Sequence, residues 1–303
     1  MAMKILVTGG AGFIGSNLVE KLVEEGNDVF VVDSLHTGSR ENLKSVLEKI
    51  EFIRADCKDI FLLNIPKVDF IFHLGIFSSS PMYKQNPALV GDAINGAIAV
   101  FEFAKKNSAG VVFASSSSIY SGLPTPHKEE MTPLVKDYYT EARYCIERLA
   151  KLYSVLHNVN STALRFFSVY GKHEEYKGRY ANCLTQMILN DEFVIYGDGS
   201  QTRDFIHVSD VVNACITAMN KSSGFKVYNV GTGRETSFNE VAKLIQKYKP
   251  LKITYKPNPI KNYVDRTCAD ITLIKNELGW KPTIELEDGI KDSIKYYLHQ
   301  CTD

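Results

Sequence analysis

The feature that most constrains this chain is a glycine cluster set directly behind a short apolar run. Residues 4–7 read as a buried strand, and Thr8-Gly9-Gly10-Ala11-Gly12-Phe13-Ile14-Gly15 follows at once and opens a helix-like segment at 13–25. Glycines at 9, 12 and 15 suit a backbone that turns sharply and lets a pyrophosphate approach with no Cβ in the way. The free N–H groups and dipole of the following helix then stabilise its charge. Asp33 closes the next apolar run eighteen residues beyond Gly15. A carboxylate there accepts from both hydroxyls of an adenosine ribose and repels a 2′-phosphate, which predicts NAD rather than NADP. Arg40 is expected to be solvated or paired with a nearby acid.

Short apolar runs recur at 5–8, 29–32, 70–74, 111–114 and 161–165, as in strands buried on both faces. Between them, 13–25, 90–106 and 139–157 carry apolar residues at three and four spacing, as helices do. The alternation predicts an α/β chain with a Rossmann-type doubly wound parallel sheet. Beyond Tyr170 come a polar, glycine-punctuated stretch at 171–179, a helix-like 180–189 and the turn Gly197-Asp198-Gly199-Ser200. Segments 209–219 and 227–230 return to the sheet, and 238–247 and 286–298 complete a smaller C-terminal lobe. The expected division is an NAD-binding domain at 1–166, joined by about 209–232, and a substrate-binding lobe at 167–208 and 233–303.

Charge and cysteine usage narrow the partners. Thirty-five basic residues balance thirty-five acidic ones, so no global field draws the chain to nucleic acid or an anionic membrane, and a small anionic ligand is expected instead. The six cysteines form no CxxC pair and no ligand spacing with histidine, so neither a metal site nor a disulfide framework is expected. With no apolar run near the ~20 residues of a membrane span, a cytoplasmic protein with reduced thiols is the expectation.

The segments TGGAGFIGSNLVEKL and VVDSLHTGSRENL resemble the start of the extended short-chain dehydrogenase/reductases, above all the UDP-glucose (UDP-galactose) 4-epimerases. The likeness runs almost end to end. It implies cofactor contacts at Gly9, Gly12, Phe13, Ile14, Gly15, Asp33 and Ser34, an adenine flanked by Asp56 and Cys57, and a cofactor border at Leu74 and Gly75. VVFASSSSIY, at 111–120, matches the family segment whose serine or threonine, four residues before the tyrosine, touches the sugar oxygen. That rule selects Ser116, with Ser117 and Ser118 beside it as further substrate contacts. The family's YxxxK falls on Tyr139-Thr140-Glu141-Ala142-Arg143, in a register supported by Glu147. Tyr139 is thereby implied as acid/base, and Arg143 stands where the lysine would hold the nicotinamide ribose and lower the tyrosine pKa. Tyr138 is the weaker candidate, since its fourth position is Ala142. A guanidinium supplies the charge but not a compact three-donor ammonium.

On the substrate side, LRFFSVYG at 164–171 is similar to the family's LRYFNVYG, with Ser168 in place of the asparagine that contacts diphosphate or sugar. YGDGSQTRDFIHV at 196–208 resembles the stretch whose arginine binds a nucleotide phosphate, which implies Arg203. The other reading pairs Arg203 with Asp204 or Asp210. The family's RPGD is not recognisable at 256–263, where Lys261 is the available substitute. A bulky residue before the C-terminal Ala-Asp excludes N-acetyl sugars in related epimerases. Here Cys268 occupies that place and leaves room, unless it is plain packing.

Ser117 and Ser118 bring no second acid for dehydration or decarboxylation. The resemblance therefore implies C4 inversion of a UDP-sugar through a transient 4-keto form, with Tyr139 as base and Ser116 on the oxygen. Arg143 leaves open a working variant, a slowed enzyme, or an NAD-bound sensor or scaffold; an oxidoreductase that releases NADH is a further reading. Helices at 90–106 and 139–157 resemble the family's dimer-forming pair, which implies a homodimer.

Overall fold

The computed structural model describes residues 2–259 and 263–299. Its central element is a seven-stranded sheet of β1 (Lys4–Thr8), β2 (Asp28–Asp33), β3 (Ile50–Arg54), β4 (Phe70–His73), β5 (Gly110–Ser116), β6 (Ser161–Phe166) and, much later in the chain, β11 (Phe225–Val230). The spatial order is β11-β6-β5-β4-β1-β2-β3, and all pairings are parallel. Strand order reverses between β1 and β4, so a crevice opens where their carboxyl ends part. The strands named from apolar runs are all present, with ends that differ by one to three residues in total: β4 stops one residue short of its run, and β5 extends three beyond its own. β3, an edge strand with no fully buried residue, escaped that reading because Glu51 and Arg54 interrupt its apolar residues. There Arg40 lies over the Phe52 ring, 5.2 Å from its centroid, in a cation–π contact instead of an acid pair.

Helices cover both faces. On one side α1 (Phe13–Glu24) and α6 (Val208–Lys221) pack Leu18, Leu22, Val211 and Cys215 against Ile5, Val7 and Leu164. On the other, α3 (Leu89–Asn107) and α4 (Tyr138–His157) bring Phe101, Ala104, Ile146 and Ala150 against Leu6, Ile71 and Phe113. Burying each such Leu, Ile or Phe contributes roughly 1.5–3 kcal/mol. Two short helices are α2 (Ser80–Gln85) and α5 (Cys183–Leu189). The Asp137 carboxylate fixes the start of α4 by accepting from Thr140 N at 2.7 Å.

The remaining small strands are β7 (Ser168–Tyr170), β8 (Glu192–Tyr196), β9 (Thr202–Arg203), β10 (Phe205–His207), β12 (Thr236–Ser237) and β13 (Lys252–Lys256). With α7 (Phe238–Gln246), α8 (Thr272–Leu278) and α9 (Leu286–His299) they complete the chain's second half. Leu184, Ile188, Val241, Ile245, Ile290 and Ile294 form a separate apolar cluster there. The helix expected at 180–189 begins only at Cys183. Gly178 has φ +53° inside the 3₁₀ turn Glu175–Tyr180, and the Asn182 side chain accepts from Leu184 N, so the backbone restarts as α5. No helix of the described residues is long and apolar enough to cross a membrane.

Candidate functional site

One cleft lies over the carboxyl ends of β1, β2, β4, β5 and β6. It gathers Gly9, Gly12, Phe13, Ile14, Gly15, Asp33 and Ser34, then Asp56, Cys57, Leu74 and Gly75, and finally Ser116, Tyr139, Arg143 and Ser168. Gly9 sits at φ +72°, and a Cβ on Gly15 would stand 2.0 Å from the Gly9 carbonyl oxygen, so neither position accepts a side chain. Gly12 caps α1 with no side-chain hydrogen bond, which leaves first-turn N–H groups open to the cleft, as a pyrophosphate requires. Asp33 reaches from the end of β2 to this loop, its carboxylate accepting from Ala11 N at 2.9 Å and Leu35 N at 2.7 Å. Burial raises its pKa above the ordinary aspartate value, against those backbone bonds. Its oxygens retain lone pairs for ribose hydroxyls. The Cys57 thiol, 3.7 Å from the Gly75 carbonyl oxygen, is pushed up to about 12 by burial and by Asp56, so it is a neutral wall of the cleft.

At the other end of the cleft, Ser116 closes β5. Its Oγ accepts from Ser118 N at 3.2 Å and lies 2.9 Å from the Ser118 Oγ. Tyr139, in the first turn of α4, is half-buried and meets the Tyr83 ring edge-on with centroids 5.5 Å apart. One turn on, buried Arg143 donates through Nη2 to the Phe77 carbonyl at 2.8 Å and through Nη1 to the Ala114 carbonyl at 3.1 Å. Its guanidinium carbon stands 4.9 Å from the Tyr139 ring centroid, and Nε has no partner among the described residues. The cation is therefore clamped by two carbonyls, one after β4 and one within β5, against the face of the tyrosine. His73 lies nearby at the end of β4, wholly buried, its Nδ1 2.7 Å from Thr8 Oγ1. Burial first, and then Arg143, depress its pKa to about 3, so the ring is neutral.

A buried ion pair fixes the frame of this end. Glu147 on α4 accepts from Arg165 Nε at 2.9 Å and Nη2 at 2.6 Å, and from Ser115 Oγ at 2.6 Å, with both charged side chains 4% exposed. Arg165 Nη1 donates on to the Tyr120 hydroxyl, which itself donates to Asn229. Burial opposes the Arg165 charge, but the bonds to Glu147 outweigh it and its pKa is raised. β5, α4, β6 and β11 are thus tied together immediately beside Ser116.

Other residues singled out in the sequence lie elsewhere. Ser117 and Ser118 begin the 3₁₀ turn Ser117–Tyr120 and do not line the cleft. Arg203 is also absent from its walls: Nη1 donates to the Thr202 carbonyl at 2.7 Å, and the guanidinium lies over Phe238 and Tyr263. Neither aspartate pairs with it. Asp204 accepts from Thr232, Gly233 and Ala269, and Asp210 from Thr283 and Ile284. Cys268 is buried outside the cleft, its thiol pushed up to about 11 by burial and nearby Asp204 and Glu235. Lys261 lies outside the described residues. Conversely, the cleft includes Phe77, Glu174, Lys177 and Asn182, none of which the sequence reading named. The one available signal was Asn182, a helix-capping residue type just before an apolar-periodic run.

Comparison with known proteins agrees with this geometry. Residues 5–231 match the model of the NAD dependent epimerase/dehydratase family. A UDP-glucose 4-epimerase of Lactobacillus helveticus is 33% identical over 95% of this chain and 94% of its own length. A UDP-glucuronic acid decarboxylase of Arabidopsis thaliana is also 33% identical, over 95% of this chain and 68% of its own. The crystal structure of Thermotoga maritima UDP-glucose 4-epimerase with UDP-glucose superimposes with a TM-score of 0.89 at 33% identity, covering 99% of this chain and all of that one.

Proposed function

The chain belongs to the NAD-dependent epimerase/dehydratase family of extended short-chain dehydrogenase/reductases, and from that premise we propose that it inverts C4 of a UDP-linked hexose. The observation that carries the reading is the convergence of Ser116, Tyr139 and Arg143 with the glycine loop and Asp33 in one cleft. Gly9, Gly12 and Gly15 would admit the cofactor pyrophosphate and Asp33 its adenosine ribose, with 167–208 and 233–303 forming the nucleotide-sugar lobe. Bound NAD supplies a hydride acceptor that returns the hydride, so none is consumed.

The chain's own groups do the rest. Tyr139 acts as base through its phenolate oxygen, which takes the proton of the C4 hydroxyl and becomes the phenol, and Ser116 Oγ donates to the C4 oxygen as it gains charge. Arg143 holds a fixed cation against the tyrosine ring without needing solvent. The resulting 4-keto sugar turns over in the cleft and is reduced on its other face. Ser117 and Ser118 place no carboxylate beside Ser116, which favours inversion over the dehydration or decarboxylation run by other members. UDP-glucose and UDP-galactose are the proposed pair, and N-acetylated forms are included in the test.

Product analysis after incubation with UDP-glucose, UDP-galactose and their N-acetyl analogues tests the proposal. The 4-epimer forms with no accumulation of NADH, and Tyr139→Phe abolishes it. Absence of C4 inversion across the panel, in both the natural chain and Arg143→Lys, would leave the sensor or scaffold reading; steady NADH release would leave another oxidoreductase. We also propose a cytoplasmic homodimer built through α3 and α4. Leu152, Val155 and Leu156 are exposed on α4, an apolar strip suited to a second copy. A monomeric mass by light scattering would reject it.

A further inference from the structure

A diphosphate lodged over the glycine loop brings negative charge into the cleft, and cationic side chains in its lining would meet that charge. Among the described residues lining the cleft, the acidic side chains are Asp33, Asp56, Asp92 and Glu174, and the cationic ones only Arg143 and Lys177. Arg143 is committed to two carbonyls at the Tyr139 end. Lys177 belongs to the 3₁₀ turn Glu175–Tyr180, in the second-lobe segment 167–208, with its ammonium 5.6 Å from the ring centroid of Phe13. Phe13 is the first residue of α1, whose N-cap Gly12 makes no side-chain bond, and Gly12, Phe13 and Lys177 all line the same cleft.

Its placement is not accidental. Lys177 Nζ donates to Glu174 Oε1 at 3.0 Å, and the Lys177 side chain is only 16% exposed. Glu174 is wholly buried and held in turn by Asn182 N at 2.9 Å and Thr185 Oγ1 at 2.6 Å. An anchored carboxylate thus orients an ammonium that carries three donors, of which Glu174 uses one. The orientation costs little on binding, because the side chain is already ordered.

We propose that Lys177 is a diphosphate ligand, bridging from the second lobe to the phosphates lodged at the α1 N-terminus. This rests on the reading of the cleft as a site for NAD and a nucleotide sugar. Both ligands carry a diphosphate ester, and that shared chemistry is what Lys177 recognises. A salt-screened ammonium–phosphate contact here adds to the helix N–H groups and joins the two halves of the chain around the ligand.

The test compares the natural chain, Lys177→Met and Lys177→Arg by calorimetry. ADP-ribose and adenosine compete against NAD in one arm, and UDP and uridine bind the NAD-saturated protein in the other. Losing one charge-assisted hydrogen bond is expected to weaken ADP-ribose, UDP or both by ~10- to 100-fold in Lys177→Met. Adenosine and uridine keep their affinities, and Lys177→Arg retains most of the diphosphate binding. The arm that changes identifies which diphosphate is held. Unchanged affinity for both diphosphates in Lys177→Met overturns the proposal, as does a parallel loss for the nucleosides, which would mark a structural role. If the natural chain binds neither ADP-ribose nor UDP, the reading of the cleft itself fails along with it.

Discussion

Glu147→Gln probes how far the reaction end of the cleft depends on a buried charge. The natural carboxylate accepts three hydrogen bonds, two from Arg165 and one from Ser115, and both members of the ion pair are 4% exposed. An amide of the same shape keeps one acceptor oxygen but leaves the Arg165 guanidinium buried without its counter-charge. Breaking a buried pair from one side costs about 3–5 kcal/mol, and the retained oxygen argues for the lower end, ~3 kcal/mol. At roughly 2–4 °C per kcal/mol for a large domain, the melting temperature should fall by about 6–12 °C. Circular dichroism melts at fixed NAD concentration measure this, since bound ligand stabilises by mass action. The double variant Glu147→Leu/Arg165→Met removes both charges and should melt above the single one, because no uncompensated ion remains. Ser115 adjoins Ser116, and α4 carries Tyr139, so kcat should drop in Glu147→Gln with KM little changed. An unshifted melting temperature, or a double variant less stable than the single, would refute the assignment of this pair as the brace of the site.

Arg143→Lys replaces two directed donors by one ammonium that cannot reach both the Phe77 and Ala114 carbonyls. One buried acceptor then loses its partner at about 1–3 kcal/mol, so the variant should melt lower even if the family's usual lysine raises turnover; equal melting would refute the two-carbonyl clamp. Acid should destabilise the fold through its buried imidazoles. Burial lowers the pKa of His73 to about 3, of His173 to about 4, and depresses His127 and His207 as well. These rings stay neutral when folded but take up protons when unfolded, so stability falls as pH drops below about 6.5, by up to ~1.4 kcal/mol per pH unit for each ring. Melts between roughly pH 5 and 6.5, above the range where ordinary carboxylates titrate, should show the decline, and a flat profile would contradict it. Asp33→Asn removes the charge that repels a 2′-phosphate. Its preference for NAD over NADP, measured by competitive binding, should shrink, and an unaltered ratio would move the discrimination to another residue.

What could be read in advance follows from the range over which each requirement acts. The glycine loop was legible because its needs are local: a positive φ at Gly9 and a contact between residues six apart, Gly9 and Gly15. The same holds for the sheet and the main helices, whose periodicities are properties of single segments. β3 was missed because Glu51 and Arg54 interrupt the apolar residues of this edge strand and leave no unbroken run, and the late start of α5 because a glycine turn and a capping asparagine interrupt an otherwise helical pattern. Arg203 shows the limit more sharply. Its motif has the residue type a phosphate needs, but where the guanidinium rests is set by the Thr202 carbonyl and by Phe238 and Tyr263, which come from distant segments and are in no motif.

Arg143 and Lys177 carry the same lesson into function. A lysine-to-arginine change read along the chain looks like the replacement of one cation by another. In the folded chain the guanidinium spans two carbonyls, one after β4 and one within β5, a task set by its fork and beyond a point charge. Lys177, unremarkable among the charged residues of a polar loop, gains meaning only once Glu174 is buried behind it and Phe13 is brought in front. The balance of charge in the cleft is therefore a tertiary property. If the Lys177→Met and Arg143→Lys variants each fail in its own way, diphosphate binding for one and loop anchoring for the other, the two cations divide the work by position and not by charge.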